Sequence, residues 1–376
     1  MDFENIVNSI ENKKLYSFGT GSVYEKYKDF LNKYNFQGYI DNNINLFNGI
    51  KDQKFIHNPL EFKYSNQSYI IIMSSFFEEI SKQLESYGLI NGRDFCTYKD
   101  LDNCFNLHKQ IETGHFYSPI PNTREIFSEN YKAYERGNRY SGINLNIQIQ
   151  DEFAQKVYMK EKSFKLFLEE NSKQFYLNNG YFEYIDSITY FTLIDYFKPK
   201  KIIEIGSGFT SALALNTSKF FDLDVNFTFI EPFPERVKNL LTEQDYNSKV
   251  IEDIVQNVSV ETLTNLDVND FLFIDSSHVS KVNSDVNYLI FEVLPNLKKG
   301  TIIHFHDVFA EFEYPLDWIY RGDFWNESYI LRAFLQYNNH FEIICFNSFI
   351  FNDKSKFIDE NVNNDCGGSI WLRKII

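Results

Sequence analysis

Carboxylate and imidazole side chains occur together in the last third of the chain, where apolar runs end. Asp275 ends F-L-F-I-D and His278 follows three residues later, while His306 and Asp307 end T-I-I-H-F-H-D. Hard divalent cations prefer carboxylate oxygens, so Asp275 and Asp307 are candidate metal ligands; His306 would add a nitrogen, favouring Mn, Fe or Zn. An imidazole that titrates near neutrality suits removal of a hydroxyl proton, the role we expect for His278, assisted by Asp275. Taken singly, each residue could instead be a hydrogen-bonding turn or cap group. His304 alternates with His306, and we expect it to be a polar core residue.

A glycine turn precedes this group in K-I-I-E-I-G-S-G-F. Gly206 and Gly208 let a ligand approach the backbone closely, and Glu231 ends the next apolar run, where a carboxylate can accept both hydroxyls of a ribose. The third glycine of the dinucleotide fingerprint is absent, because Ser211 occupies its position. Glu204, two residues before the first glycine, suits a positively charged ligand. We therefore predict a site for a cationic nucleoside; for a G-x-G alone, an ordinary tight turn would be the alternative.

Two further stretches mix aromatic faces with directed hydrogen-bonding groups. Trp325, Asn326 and Glu327 follow His306 and Asp307 along the chain, and His115 and Tyr117 lie in G-H-F-Y-S-P-I-P. Such a mixture suits a sugar, whose C–H faces stack on aromatic rings while its hydroxyls need donors and acceptors. We expect these five side chains to contact the substrate. The alternative is a helical cover whose aromatic residues belong to the core.

Alternating strands and helices must position all of these residues. Apolar runs that end in glycine, acid or histidine predict strands near 201–205, 227–231, 271–275 and 301–307, and two later runs, 341–346 and 369–372, fit closing strands. Such alternation implies a parallel sheet with right-handed crossovers, and ligands bind outside the carboxyl ends of its strands. We expect an α/β fold.

Residues 1–98 repeat this pattern in a shorter form and predict a separate, smaller Rossmann-like domain. Its turn contains Gly19 and Gly21, and Asp41 ends the following strand. A structural turn and a working nucleotide site are both open here, because a fold alone does not establish a function. After this domain we expect a second one at 99–376, with a helical cap and lid at 105–195 and the core at 196–376.

Composition excludes several classes of protein. A chain of 376 residues suggests two domains. Acidic residues outnumber basic ones 52 to 37, which gives a net charge of −15 with no basic run, so a nucleic-acid partner and docking on anionic lipid are disfavoured. No apolar run approaches the ~20 residues of a membrane span, and the acidic N-terminus is unlike a secretory signal. Four widely separated cysteines, Cys96, Cys104, Cys345 and Cys366, predict reduced thiols in a cytoplasmic protein.

Six stretches, in this order, resemble the class I S-adenosylmethionine (SAM)-dependent methyltransferases: G-H-F-Y-S-P-I-P, K-I-I-E-I-G-S-G-F-T-S-A, F-I-E-P-F-P-E-R, L-F-I-D-S-S-H-V-S-K, H-F-H-D and C-G-G-S-I-W-L-R-K. More narrowly, residues 105–376 resemble a bacterial group found with surface-polysaccharide genes. The resemblance implies a Rossmann-like methyltransferase domain with a seven-stranded sheet, preceded by the smaller domain. It also implies SAM on Gly206, Gly208 and Glu231, with Asp275 beside the cofactor and Asp253 near the adenine.

The D-x-x-H pattern is also similar to that of the Mg-dependent sugar O-methyltransferases of macrolide pathways. In those enzymes the Asp is a metal ligand, the His is the base, and an acidic pair ends the later strand. Here that pair reads His306-Asp307, so the resemblance leaves open whether the metal is Mg, Mn, another divalent ion or none. Residues 13–98 resemble the small N-terminal domains of sugar-modifying acyltransferases, which can bind nucleotide sugars.

These features predict a SAM-dependent O-methyltransferase whose acceptor is a sugar or nucleotide sugar, or a sugar-containing surface-polysaccharide metabolite. One alternative is a non-catalytic module that binds SAM or a nucleotide sugar within a polysaccharide-assembly complex. Another is NAD-dependent sugar oxidoreduction, which the missing third glycine and the lack of a suitably placed Tyr-x-x-x-Lys pair disfavour. The chain could also form a homo-oligomer.

Overall fold

The computed structural model describes residues 3–105, 115–127, 139–171, 173–358, 362, 365 and 367–376. These residues fall into two compact units, Met1–Pro119 and Ile120–Ile376. Among the helices of the described residues, none combines the length and the apolarity needed to cross a bilayer. Cys96, Cys104 and Cys345 are free thiols, and Cys366 lies outside the described residues.

The first unit contains a six-stranded sheet in the order β3-β4-β2-β1-β5-β6. All of its pairings are parallel except β3 with β4. The five residues of β5 are buried, as expected of a strand covered on both faces. The strands are β1 Lys14–Phe18, β2 Phe36–Ile40, β3 Ile50–Lys51, β4 Lys54–His57, β5 Ser68–Ile72 and β6 Phe95–Thr97.

Four helices accompany this sheet: α1 Phe3–Asn12, α2 Ser22–Leu31, α3 Phe77–Ser86 and α4 Tyr98–Phe105. In α3, Ile80 and Leu84 are buried at helical spacing, as the amphipathic pattern predicts. In α4, Leu101 is fully buried in the same core as Ile6 and Cys96. The first unit therefore continues past residue 98, where the sequence had suggested that it ends.

The second unit contains the expected seven-stranded sheet, in the order β12-β13-β11-β10-β7-β8-β9. β13 runs antiparallel to both of its neighbours, while the other pairings are parallel. The α/β fold class is thus confirmed. The strands are β7 Lys201–Ile205, β8 Asn226–Ile230, β9 Val250–Ile251, β10 Phe271–Ile274, β11 Ile302–Phe305, β12 Phe341–Phe346 and β13 Ile370–Lys374.

Helices cover both faces of this sheet. Successive side chains of a strand point to opposite faces, so each central strand contributes to two cores. Phe271 and Phe273 of β10 pack in one core, and Leu272 and Ile274 pack in the other. The helices are α5 Thr123–Ile126, α6 Ile147–Asn171, α7 Tyr184–Phe197, α8 Phe209–Phe220, α9 Glu235–Leu240, α10 Glu243–Lys249, α11 Val260–Leu263, α12 Asp285–Tyr288, α13 Leu294–Asn296, α14 Leu316–Arg321, α15 Glu327–Leu335 and α16 Asn347–Ile350.

The helices α6 and α7 lie within the region that the sequence suggested as a cap and lid. Instead they form a layer of the core: Phe164 of α6 and Phe191 of α7 are fully buried in the same cluster as Phe273 and Trp371 of the sheet. The reason is that α7 is apolar nearly all round and is buried along almost its whole length.

Candidate active site

The strand register brings the predicted site residues to one edge of the sheet. Ile205, Ile274 and Phe305 are paired across the three central strands. The residues that follow them, Gly206, Asp275 and His306, therefore lie side by side at the carboxyl ends of β7, β10 and β11. This is the edge at which open α/β sheets bind ligands.

Gly206 is required by the way these strand ends pack. Its φ is +79°, and a Cβ at this position would lie 1.8 Å from the carbonyl oxygen of Asp275. The next amide, that of Ser207, donates to Glu231 Oε2 at 2.9 Å, and the amide of Phe233 donates to Glu231 Oε1 at 2.8 Å. A carboxylate has about four acceptor positions, so Glu231 is fixed by the backbone and can still accept from a ligand.

Glu204 lies beneath the turn, fully buried, and is absent from the cavity wall. Its Oε1 accepts hydrogen bonds from the hydroxyls of Thr210 (2.7 Å) and Ser211 (2.6 Å). Burial raises the pKa of Glu204 to about 8, so the carboxyl is mostly protonated at neutral pH. This geometry differs from the expected contact with a cationic ligand, and it gives Glu204 a role in supporting the turn.

His278 is held among three carboxylates. Its Nδ1 lies 2.9 Å from Glu327 Oε2, while its Nε2 lies 3.3 Å from Asp275 Oδ1 and 3.5 Å from Asp307 Oδ2. The ring is buried and the backbone is left-handed, with φ of +59°. Burial alone would lower the pKa of His278, but the hydrogen bonds with Asp275 and Glu327 outweigh it and raise the pKa to about 10. With this raised pKa, the imidazole is protonated at neutral pH.

His306 occupies a second position among carboxylates. Its Nδ1 is 3.5 Å from both Asp275 Oδ1 and Asp307 Oδ1, and its Nε2 is 3.7 Å from Asp186 Oδ2. Burial would lower the pKa of His306, yet the surrounding carboxylates hold it well above the ordinary value. Asp186 also accepts from the amide of Gly368 at 2.8 Å. Sequence analysis missed Asp186, which is on α7 and belongs to no motif.

Three ligand atoms, from Asp275, His278 and Asp307, lie within 4.8 Å of one another. The metal ligands expected from the sequence included His306 in place of His278. Desolvation would raise the pKa of Asp275, but the two imidazoles lower it, whereas desolvation raises the pKa of Asp307. Two carboxylates and an imidazole form a donor set that suits a divalent cation.

Of the predicted substrate residues nearby, Trp325 faces the site and the next two residues support it. Trp325 lies over His278 with ring centroids 4.4 Å apart. The rings of Trp318 and Trp325 form a T-shaped pair with centroids 5.2 Å apart. Asn326 Oδ1 accepts from the amide of Ser280 at 2.6 Å, so Asn326 holds the loop that carries His278. Glu327 is 1% exposed and lies behind the imidazole. Both differ from the expected sugar contact.

Two adjoining cavities form the cleft, and both are lined by Gly206, Glu231 and Asp275. The first, of about 530 Å³, is completed by residues that include Gly208, Arg236, His278, His306, Asp307, Trp318, Arg321 and Trp325. The second, of about 400 Å³, is lined by residues that include Phe233, Ile254, Val255 and Gln256.

Asp253, expected near an adenine, is outside both linings. Its Oδ1 accepts from the amide of Ile254 and from Asn257 Nδ2, both at 2.8 Å. The neighbouring residues Ile254–Gln256 line the second cavity in its place. Sequence analysis also missed Arg236, whose guanidinium lies 3.7 Å from the ring centroid of Tyr181 at the cavity wall.

His304 has the core position that was expected: it is fully buried, stacks on Phe273 at 3.7 Å and contacts Ser369 Oγ at 2.9 Å. His115 and Tyr117 belong to the first unit, where both are exposed. Gly114, which precedes them in the motif, lies outside the described residues. A substrate role for His115 and Tyr117 stays a prediction.

Residues 203–308 match the family model described as "Methyltransferase domain", and residues 11–93 match one described as "C2185-like, N-terminal". With its seven-stranded sheet, the second unit therefore carries a methyltransferase domain. A protein of the archaeon Archaeoglobus fulgidus, described as "Uncharacterized protein", is 33% identical over 172 residues, which are 43% of this chain and 76% of that protein. The chain belongs to the same family as this archaeal protein.

Two solved structures show a weaker likeness. An apo structure of CmcI is 14% identical and has a TM-score of 0.34, with 54% of this chain and 76% of that chain covered. The Podospora anserina methyltransferase PaMTH1, bound to SAH, is 16% identical and has a TM-score of 0.34, with 50% and 78% covered. At these values neither likeness bears on the ligand of this chain.

Proposed function

We propose that the second unit is a SAM-dependent O-methyltransferase that acts on a hydroxyl of a sugar or of a sugar-containing metabolite. The observation that carries this proposal is the position of His278. It lies in the wall of the cavity that the glycine turn and Glu231 also line, and Glu327 holds the far side of its ring. The proposed base His278, the proposed ribose acceptor Glu231 and the glycine turn at Gly206 thus line one cleft within a methyltransferase domain.

The residues present fit SAM, which supplies a methyl group on a positively charged sulfur. The missing Cβ at Gly206 leaves the turn in direct contact with β10, so backbone rather than side chain lines the cleft there. Glu231 would accept the ribose hydroxyls, because it lies in the walls of both cavities. Ile254 and Val255 would contact an adenine in the second cavity. Asp275 contributes negative charge between the two cavities.

His278 would remove the proton from the acceptor hydroxyl. Glu327 accepts the hydrogen on Nδ1, which leaves Nε2 as the ring atom that faces the cleft. The imidazole must be neutral to act as a base. Positive charge bound beside Asp275 opposes protonation of the imidazole and lowers the pKa of His278. Binding of a cationic ligand and release of the proton are therefore coupled.

Asp275 and Asp307 would hold a divalent cation next to His278. Such an ion lowers the pKa of a hydroxyl bound to it, which reduces the work required of the base. Donor chemistry favours Mg or Mn, since both groups that would hold the ion are carboxylates and His278 Nε2 is left to act as the base. Trp318 and Trp325 would offer flat apolar faces to the sugar ring from the same cavity.

The test is methyl transfer from labelled SAM to a panel of sugars and nucleotide sugars, with the products identified by mass spectrometry. Removal of a general base slows a reaction by roughly 10²–10⁴-fold. His278→Gln should therefore lower kcat by about that factor without weakening SAM binding, because the variant has no imidazolium charge to oppose the cationic cofactor. His340→Gln, at an exposed histidine, is the matched control and should retain wild-type rates.

Two outcomes would contradict the proposal in different ways. Normal turnover by His278→Gln would remove the base assignment. Binding of SAM and sugars to the wild-type chain without transfer to any acceptor would instead support the non-catalytic binding module.

A further inference from the structure

The first unit contains its own cavity, of about 460 Å³, at the carboxyl ends of β1, β2 and β5. In this sheet β1 lies between β2 and β5. The connection after β1 leads to β2 on one side, and β5 is added later on the other side. The direction in which strands are added therefore reverses at β1. In open α/β sheets, the crevice at such a reversal is where ligands bind.

The glycine turn after β1 opens its backbone toward this cavity. Gly19 has φ of +110°, and a Cβ there would lie 2.7 Å from the carbonyl oxygen of Met73, so the turn must contact the end of β5 directly. Gly21 also lines the cavity, and a Cβ there would have no protein atom within 4 Å. Space at Gly21 is therefore available to a ligand rather than filled by the protein.

Asp41 follows β2 and lines the same cavity. Its Oδ2 accepts from the hydroxyl of Thr20 at 2.8 Å, and its Oδ1 accepts from the amide of Asn43 at 2.9 Å. These two bonds hold the carboxylate at the mouth of the turn with acceptor positions left over. Across the cavity, Asn42 and Gln83 form a reciprocal amide pair at 2.8 and 3.1 Å that joins the end of β2 to α3.

The charge of the lining limits which ligand fits. The residues that line the cavity, all within the described part of the chain, include two acids, Asp41 and Glu79, and neither lysine nor arginine. The position of the third fingerprint glycine holds Tyr24, which is buried and bonds to Asp52. A pyrophosphate would bring at least two negative charges toward two carboxylates with no cation in the wall, whereas a ribose diol is a neutral donor to a carboxylate.

We propose that this cavity binds a nucleoside carrying at most one phosphate, with its ribose diol on Asp41. The site lies wholly in the first unit and does not depend on the function proposed for the second. Nucleoside diphosphates and nucleotide sugars are expected to bind more weakly than the corresponding nucleosides.

The test is calorimetric titration of the full chain with adenosine, uridine, their 2′-deoxy forms, AMP, ADP and UDP-glucose. Each titration is run on the wild-type chain and on Glu231→Gln, a change that weakens nucleoside binding in the second unit alone and so separates binding in the two units. We expect the nucleosides or monophosphates to bind to both chains. Loss of the 2′-hydroxyl and the change Asp41→Asn should each weaken binding by roughly tenfold to a hundredfold, as loss of a hydrogen bond to a charged group does.

Two further variants keep the test decisive. Asp29→Asn, at an exposed acid of α2, is the matched control and should bind like the wild-type chain. Gly21→Ala should weaken binding without changing the melting temperature, because its Cβ has no protein atom within 4 Å and enters the space offered to the ligand. The proposal is overturned if ADP or UDP-glucose binds more tightly than AMP, if Asp41→Asn binds normally, or if none of the probes binds to Glu231→Gln.

Discussion

Replacing Glu327 by glutamine should lower the pKa of His278 without emptying the space behind its ring. Glu327 is 1% exposed, with Oε2 2.9 Å from His278 Nδ1 and Oε1 3.0 Å from Ser276 Oγ. A hydrogen bond to a charged partner contributes about 1.5–3 kcal/mol and a neutral one about 0.5–1.5 kcal/mol. The difference, about 1–1.5 kcal/mol, corresponds to roughly one pKa unit. Removing the negative charge destabilises the imidazolium, so the pKa falls from about 10.

The measurement is an NMR titration of the histidine ring protons in the presence of a chelator, which keeps cations away from Asp275 and Asp307. His278→Gln identifies the resonance among those of the seven histidines. Glu292→Gln, at an exposed glutamate of the same unit, should leave the pKa of His278 unchanged. A pKa in Glu327→Gln equal to that of the wild-type chain would refute the assignment of Glu327 as the residue that positions and charges the imidazole.

Three further predictions concern the turn and the cation. Glu204→Gln should make the chain more stable at about pH 9 by up to about 5 kcal/mol, because the raised pKa of Glu204 makes stability fall as the pH rises from about 4.5 through about 8. Gly206→Ala should lower the free energy of unfolding by roughly 3 kcal/mol or more in urea, since the new Cβ would overlap the carbonyl of Asp275. Gly208→Ala, whose Cβ would meet the flexible chain of Arg236 at 3.1 Å, should cost far less. Calorimetry should show one Mg²⁺ or Mn²⁺ per chain, bound at least about tenfold more weakly after Asp307→Asn.

Each of these has a contradicting result. Parallel pH–stability curves for wild-type and Glu204→Gln chains would show that Glu204 ionises normally in the fold. An equal decrease in the free energy of unfolding for Gly206→Ala and Gly208→Ala would mean that the close contact with Asp275 does not require glycine at position 206. A divalent ion that binds Asp307→Asn as tightly as the wild-type chain would place the ion elsewhere, and Asp253→Asn serves as the control outside the cleft.

The sequence predicted the sheet and the residues at its edge because both depend on short-range patterns. Apolar runs that end in an acid or histidine mark strand ends. The parallel register of β10 and β11 then brings Asp275 and Asp307 together, independently of the conformation of the connecting loops. His278 follows from the same reasoning, since it lies three residues beyond a strand end. These residues form the cluster that the structure contains.

What the sequence could not predict depends on distant packing. Glu327 follows Trp325 and Asn326 directly, yet α15 turns it behind His278, where it is buried rather than offered to a sugar. Asp186 reaches His306 from α7, a helix whose apolar residues surround it on all sides and therefore do not reveal which face meets the site. Neither partnership has a local signature.

The central claim, that the cleft of the second unit is a SAM site in a methyltransferase, is tested most directly by calorimetric titration of SAM into the full chain and into Glu231→Gln. We predict one SAM per wild-type chain and an affinity at least about tenfold lower in the variant, because its amide cannot replace a charged acceptor of the ribose hydroxyls. Glu235→Gln, at an exposed glutamate of α9, should bind SAM like the wild-type chain. Failure of the wild-type chain to bind SAM, or equal affinity of wild-type and Glu231→Gln chains, would contradict the account.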